Sequence, residues 1–225
     1  NGIGRGIAQK LAGLGANVVA CDIEADSVQN TAEEITRAGG VCLGLYCDVR
    51  KYEDIQKVVD TAVQTFGTVD ILVNDAAGCG GGVTVDTIDE REWMRLIELN
   101  LNSVFRFTMT VLPILREKKC GKIVNISSVA QHLPTPESAP YGMSKAGLGS
   151  LPRSLAVELA ARVAGSFPGG VVLCHLADVG DPAAVRSSVA ARLGVQLSGR
   201  DGLGEALHAT RLLVVLDNCE HLLDA

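Results

Sequence analysis

Ala16-Asn17-Val18-Val19-Ala20-Cys21-Asp22 is an apolar run that closes on a carboxylate, and Val41-Cys42-Leu43-Gly44-Leu45-Tyr46-Cys47-Asp48 repeats the arrangement. Between them, 25–38 carries apolar residues at helical spacing and stops at Gly39-Gly40. A short apolar run bounded by turn residues predicts a buried strand, and a 3.6-residue period closed by glycine predicts a helix. The alternation continues with a helix over 51–66, a strand over 70–74 and a long helical stretch over 89–117, with a break expected near Pro113. A strand over 122–126 and a helix over 139–164 follow, and upstream 5–14 reads as a helix behind Gly2-Ile3-Gly4. Apolar strands alternating with helices require a parallel sheet covered on both faces. The fold class is α/β, a doubly wound parallel sheet.

Composition narrows the function. The 225 residues hold 20 Lys+Arg against 26 Asp+Glu, a formal charge of -6, which argues against a nucleic-acid partner. The 47% hydrophobic content suffices for a core without staples. No apolar run approaches the roughly 20 residues that span a bilayer, so no membrane partner is expected. Seven cysteines form no C-x-x-C pair, and no basic-then-apolar leader opens the sequence. Reduced thiols in a cytoplasmic protein are the expectation. The four histidines show no metal-ligand spacing, and no metal site is expected.

The last 60 or so residues keep the style with other vocabulary. Strands are expected at 170–176 and 212–217, with helices over 182–193 and 202–209. All seven lysines lie before residue 163. A division into 1–162 and 163–225 follows, the second an α/β fragment of different origin.

Several residues carry chemistry. Gly2-Ile3-Gly4 ahead of a helix lets backbone N–H groups approach a phosphate, although a plain turn has the same spacing. Asp22 at a strand end could accept ribose hydroxyls and repel a 2′-phosphate, or cap its own loop. Tyr141 and Lys145 stand four apart, on one helix face, where an ammonium favours a phenolate. The alternative is a surface tyrosine beside a solvated lysine. Ser127-Ser128 follows a strand, where a hydroxyl could meet a ligand or cap a turn.

In order and spacing these residues resemble the short-chain dehydrogenase/reductase family over 1–162. Asn1-Gly2-Ile3-Gly4 resembles the end of its Thr-Gly-x-x-x-Gly-x-Gly motif, and Asp48-Val49 its adenine-side Asp-Val. Asn74-Asp75-Ala76-Ala77-Gly78 resembles its Asn-Asn-Ala-Gly strand end, with Asp75 in place of the second asparagine. Asn100 matches its helix asparagine, and Ser128, 13 residues before Tyr141, its serine; Tyr141 and Lys145 match its Tyr-x-x-x-Lys.

The resemblance implies a Rossmann-type fold whose first strand is absent here, an N-terminal truncation. It also implies reversible hydride transfer between a nicotinamide cofactor and a secondary alcohol or ketone. Tyr141 would be the general acid/base, Ser128 would hold the substrate oxygen, and Asn100 a relay water. Lys145 would hold the nicotinamide ribose and favour the phenolate. Gly2, Ile3, Gly4, Asp22, Asp48, Val49, Asn74 and Ala76, with Tyr141 and Lys145, would line the cofactor. NAD is favoured over NADP, because Asp22 opposes a 2′-phosphate and Asn1 stands where many NADP-preferring members carry a basic residue. A homotetramer packed through 89–117 and 139–164 is implied as well.

Residues 155–225 resemble instead part of an NB-ARC-like signalling ATPase domain. The match rests on Leu155–Ala160, Phe167–Val171 and Leu212–His221, with Asp217 at the Walker B position. No G-x-x-x-x-G-K-[ST] loop occurs, so ATP hydrolysis is not expected. The chain reads as a chimera, in which 170–176 is expected to enter the dehydrogenase sheet by a right-handed crossover. A nucleotide-linked regulatory fragment and a non-catalytic dinucleotide-binding module are the alternatives.

Overall fold

A computed structural model describes residues 2–80, 82, 84–133, 136–163, 171–175, 182–193 and 213–217. The chain divides into two units, Asn1–Gly149 and Ser150–Ala225. The first unit carries α1 (Ile3–Gly13), β1 (Asn17–Asp22), α2 (Ala25–Arg37), β2 (Val41–Tyr46), α3 (Tyr52–Phe66) and β3 (Ile71–Asn74). It continues with α4 (Glu90–Ile97), a π-helical turn (Glu98–Asn102), α5 (Ser103–Lys118), β4 (Lys122–Asn125), a 3-10 turn (Val129–Gln131) and the start of α6 (Ala139–Val163).

β1 and β2 pair in parallel from Asn17↔Val41 to Asp22↔Tyr46, and β3 and β4 from Ile71↔Lys122 to Asn74↔Asn125. The side-chain period of two along β1 shows how its faces are covered. Val18 and Ala20 pack with Ala8 and Ala12 of α1 and with Ala32 and Ile35 of α2. Val19 and Cys21 pack instead with Ile55, Val58 and Val59 of α3 and with Phe107, Val111 and Leu115 of α5. A strand sandwiched between two helix layers is what a doubly wound sheet requires, and the apolar run at 16–22 predicted it.

Three expectations are corrected. The sheet consists of separate two-stranded ladders, with no hydrogen-bonded pairing of β1 to β3 among the described residues. The shared core against α3 and α5, which includes Leu45, Leu72 and Ile123, joins these two ladders. The break in the long helix falls at Glu98–Asn102, and Pro113 lies inside α5. Proline removes one N–H, but the carbonyl it leaves belongs to Met109, on a solvent-facing turn where water can replace the bond. Finally, β5 (Val171–His175) pairs in parallel with β6 (Leu213–Asp217), and with no strand of the first unit among the described residues. α7 (Pro182–Leu193) lies between them in sequence. The helix expected over 202–209 lies outside the described residues, as do Asn1 and the ends of the expected Walker B stretch. Among the described residues no helix is long and apolar enough to cross a membrane.

Candidate active site

The ends of β3 and β4 collect the candidate residues. The two ladders stop on a side-chain pair, Asn74 Nδ2 donating to Asn125 Oδ1 at 2.8 Å. Beyond β4, Lys145 Nζ donates to the Ile126 carbonyl at 2.8 Å, which anchors α6 to the strand end. Lys145 is only 3% exposed, and burial pulls its pKa below the ordinary lysine value, with the Asp75 carboxylate opposing that shift. One turn earlier on α6 stands Tyr141, and the Lys145 ammonium lies 5.7 Å from its ring centroid. The four-residue spacing therefore brings phenol and ammonium together as the sequence predicted.

Ser128 caps the 3-10 turn with extended backbone, and its Oγ accepts from the Ala130 N–H at 3.2 Å. A hydroxyl that accepts one bond keeps its proton for donation. Ser127 Oγ donates to Gln131 Oε1 at 2.5 Å, with the Lys145 carbonyl farther off at 3.5 Å.

Asn100 is fully buried in the π-helical turn. Its Oδ1 accepts from the Gly78 N–H and its Nδ2 donates to the Gly78 carbonyl, both at 2.8 Å. A Cβ at Gly78 would fall 2.8 Å from Leu99 Cδ2, so glycine permits this approach. The extra residue of a π turn re-aims side chains and commonly marks a functional position. Here it is held by Ser103 Oγ donating to the Leu99 carbonyl at 2.6 Å and by an Arg106–Glu98 ion pair at 2.6 Å. Gly78 as the partner of Asn100 was not legible beforehand; the only signal was a glycine after a strand facing a buried amide.

At the amino end, Gly2 caps α1 with φ 72° and no side-chain bond. Gly2 and Ile3 are exposed, and Gly4 opens the first turn, whose N–H groups lack intrahelical acceptors. Ala76 is exposed in the loop after β3. A helix N-terminus whose glycine cap offers no side-chain acceptor can receive an anionic group.

The β1–β2 end is different. Asp22 Oδ1 accepts from the Glu24 N–H at 3.0 Å, the loop-capping arrangement. Asp48 takes Arg50 in a two-pronged pair, Nε and Nη2 each at 2.8 Å, and the guanidinium holds its carboxyl below the usual aspartate value. Val49 is buried in the core against α3, so its side chain packs inward. The part of Arg50 went unread in the sequence, although a basic residue two positions after the aspartate was in plain sight.

A family model for short chain dehydrogenases matches residues 1–179. The chain belongs to the short chain dehydrogenase family. The match runs past 162, the limit of the resemblance read from the motifs. This short chain dehydrogenase is 38% identical over 160 residues to the oxidoreductase UcpA of Salmonella typhimurium, covering 71% of this chain and 60% of the relative. It spans about three fifths of the length of the first curated relatives it matches. Among solved structures, a metagenomic short-chain oxidoreductase in complex with NADP has TM-score 0.68 at 34% identity, with 71% of this chain and 72% of that one covered. An NAD+-bound xylitol dehydrogenase also has TM-score 0.68, at 27% identity and 72% and 62% coverage. With NADP in one relative and NAD+ in the other, likeness does not support the expected preference for NAD.

Proposed function

We propose that this chain carries the hydride-transfer machinery of an oxidoreductase acting on a secondary alcohol or ketone. The observation that carries the reading is the Tyr141–Lys145 pair, anchored through Lys145 at the Ile126 carbonyl. A bound nicotinamide supplies the hydride acceptor or donor. The rest of the chemistry belongs to the protein. In oxidation the Tyr141 phenolate takes the alcohol proton; in reduction the phenol returns it to the carbonyl oxygen. Ser128, with its lone pair engaged by Ala130, donates its O–H to that same oxygen. Lys145 spends one of its three protons on Ile126 and keeps two for the hydroxyls of the nicotinamide ribose. Because the Asn100 amide is committed to Gly78, a relay water at this residue would be held by main chain, and the side chain acts by fixing the loop.

Gly2, Ile3 and Gly4 would face the pyrophosphate, Asn74 and Ala76 the cofactor along the strand edge, and Asp22 and Asp48 the adenosine end. We keep NAD over NADP as a proposal resting on the Asp22 carboxylate at the strand end. Thermal unfolding with NAD+ or NADP+ tests both points. A midpoint raised more by NAD+ supports the reading, equal or larger shifts with NADP+ sink the preference, and no shift with either sinks the cofactor site. Formation of reduced nicotinamide from a panel of secondary alcohols then tests the reaction itself. A homotetramer is proposed on exposed Phe105 and Met109 of α5, to be checked by sedimentation.

For 163–225 the proposal remains an ATPase-like fragment, supported by a parallel ladder whose second strand ends at Asp217. A midpoint unmoved by Mg-ATP would remove the nucleotide-linked reading.

A further inference from the structure

Asp75 is the residue at which this chain departs from the motif after β3, and its position shows what the departure does. Its Oδ2 lies against the first turn of α1: a Cβ at Gly4 would fall 2.6 Å from that oxygen and 3.4 Å from Asp75 Cγ. Only glycine permits so close an approach. The first turn of α1 has no acidic residue of its own, and its cap, Gly2, has no side-chain acceptor. The carboxylate that follows β3 therefore lies close to the positive end of the helix dipole. Its charge also opposes the downward shift that burial imposes on the Lys145 ammonium. Asp75 is half-buried beside the first turn of α1.

We infer that Asp75 governs the affinity of the phosphate end of the cleft: its carboxylate occupies the α1 N-terminus as an internal anion, which a dinucleotide must displace or tolerate. The inference rests on the proposed dinucleotide site and deepens it. Two negative groups cannot share one helix N-terminus without mutual repulsion. Binding of any phosphate-bearing nucleotide is consequently weaker than the glycines and helix end would otherwise allow. An asparagine at 75 keeps the volume and removes the charge. A glutamate keeps the charge.

The experiment is calorimetric titration of the full chain, Asp75→Asn and Asp75→Glu with NAD+, ADP-ribose and adenosine at low and high salt. Asp75→Asn should tighten NAD+ and ADP-ribose by about five-fold at low ionic strength, the size of one charge removed near a surface cleft. The gain should shrink to less than about two-fold in 1 M salt, where the screening length is near 3 Å. Adenosine, with no phosphate, should bind all three forms alike, and Asp75→Glu should show no gain. A merely structural role would not produce this dependence on ligand charge and salt. If the wild type binds NAD+ and folded Asp75→Asn binds it equally or more weakly, the role of Asp75 is overturned and the dinucleotide site stands. If neither folded protein binds NAD+ or ADP-ribose, the site itself is refuted and this inference with it.

Discussion

At the ends of β1 and β2 the polar side chains bond to residues two positions along the chain, whereas at the ends of β3 and β4 they bond across the fold. Asp22 reaches the Glu24 N–H and Asp48 reaches Arg50. Asn74 reaches Asn125, Asn100 reaches Gly78 and Lys145 reaches Ile126, over separations of 51, 22 and 19 residues. A bond over two residues closes a turn with little loss of chain entropy, but one over about twenty or more exists only when the fold has already brought its partners together. The Asp22 and Asp48 side chains are therefore held locally, although Arg106 of α5 also reaches the Arg50 carbonyl at 2.8 Å, while the side chains of the Tyr141–Lys145 end depend on tertiary integrity throughout.

The largest expected effect tests whether the second end is chemical as well as structural. Tyr141→Phe should lower kcat by about a thousand-fold, within the range for loss of a general acid/base, while the thermal midpoint stays put. A surviving rate would reduce that end to scaffolding. Next in size, Asn100→Ala removes two hydrogen bonds and leaves the Gly78 N–H and carbonyl without their partner. A loss of about 2–3 kcal/mol in urea unfolding is expected, with faster amide exchange at Gly78. A neutral result would mean that the loop holds itself, as the β1–β2 end does.

Arg50→Ala probes the local side. Asp48 is nearly buried and Arg50 about a third exposed (6% and 37% for the side chains), so solvent screening leaves a cost of about 1 kcal/mol at pH 7. The sign with pH follows from the depressed Asp48 carboxyl. The pair's stabilisation is fully present above the unfolded aspartate value of about 4 and is lost as pH falls through the lower folded value. The gap between wild type and variant should thus close in acid; a gap that widens there would overturn the assignment. Smallest is Asp22→Ala, where loss of one exposed turn bond should cost about 0.5 kcal/mol in the same unfolding assay. A cost of several kcal/mol would show that β1 ends on more than a local cap.

How far the sequence could be read follows the same division. The strand at 16–22 and the helices at 25–38 and 51–66 were legible because hydrophobic period and end signals act within one element. The Tyr141–Lys145 pair was legible because helix geometry alone places them on one face. The π turn was not, since a proline is a visible breaker and an inserted helical residue leaves no compositional mark. Pro113 drew the break to itself, while the residues that hold the π turn, Glu98 and Arg106, read as ordinary surface charges.

By itself, then, the amino-acid order determined the alternating α/β elements and the shared helix face of Tyr141 and Lys145, because each depends on short-range period or spacing. Only the tertiary structure decided that Asn100 locks Gly78, that Lys145 is anchored at Ile126 and that β5 pairs with β6. It also decided that Asp75 comes to rest against Gly4, 71 residues away in sequence. Each of these contacts joins groups whose separation in sequence says nothing of their separation in space, and packing against α3 and α5 supplies the missing information in the first unit.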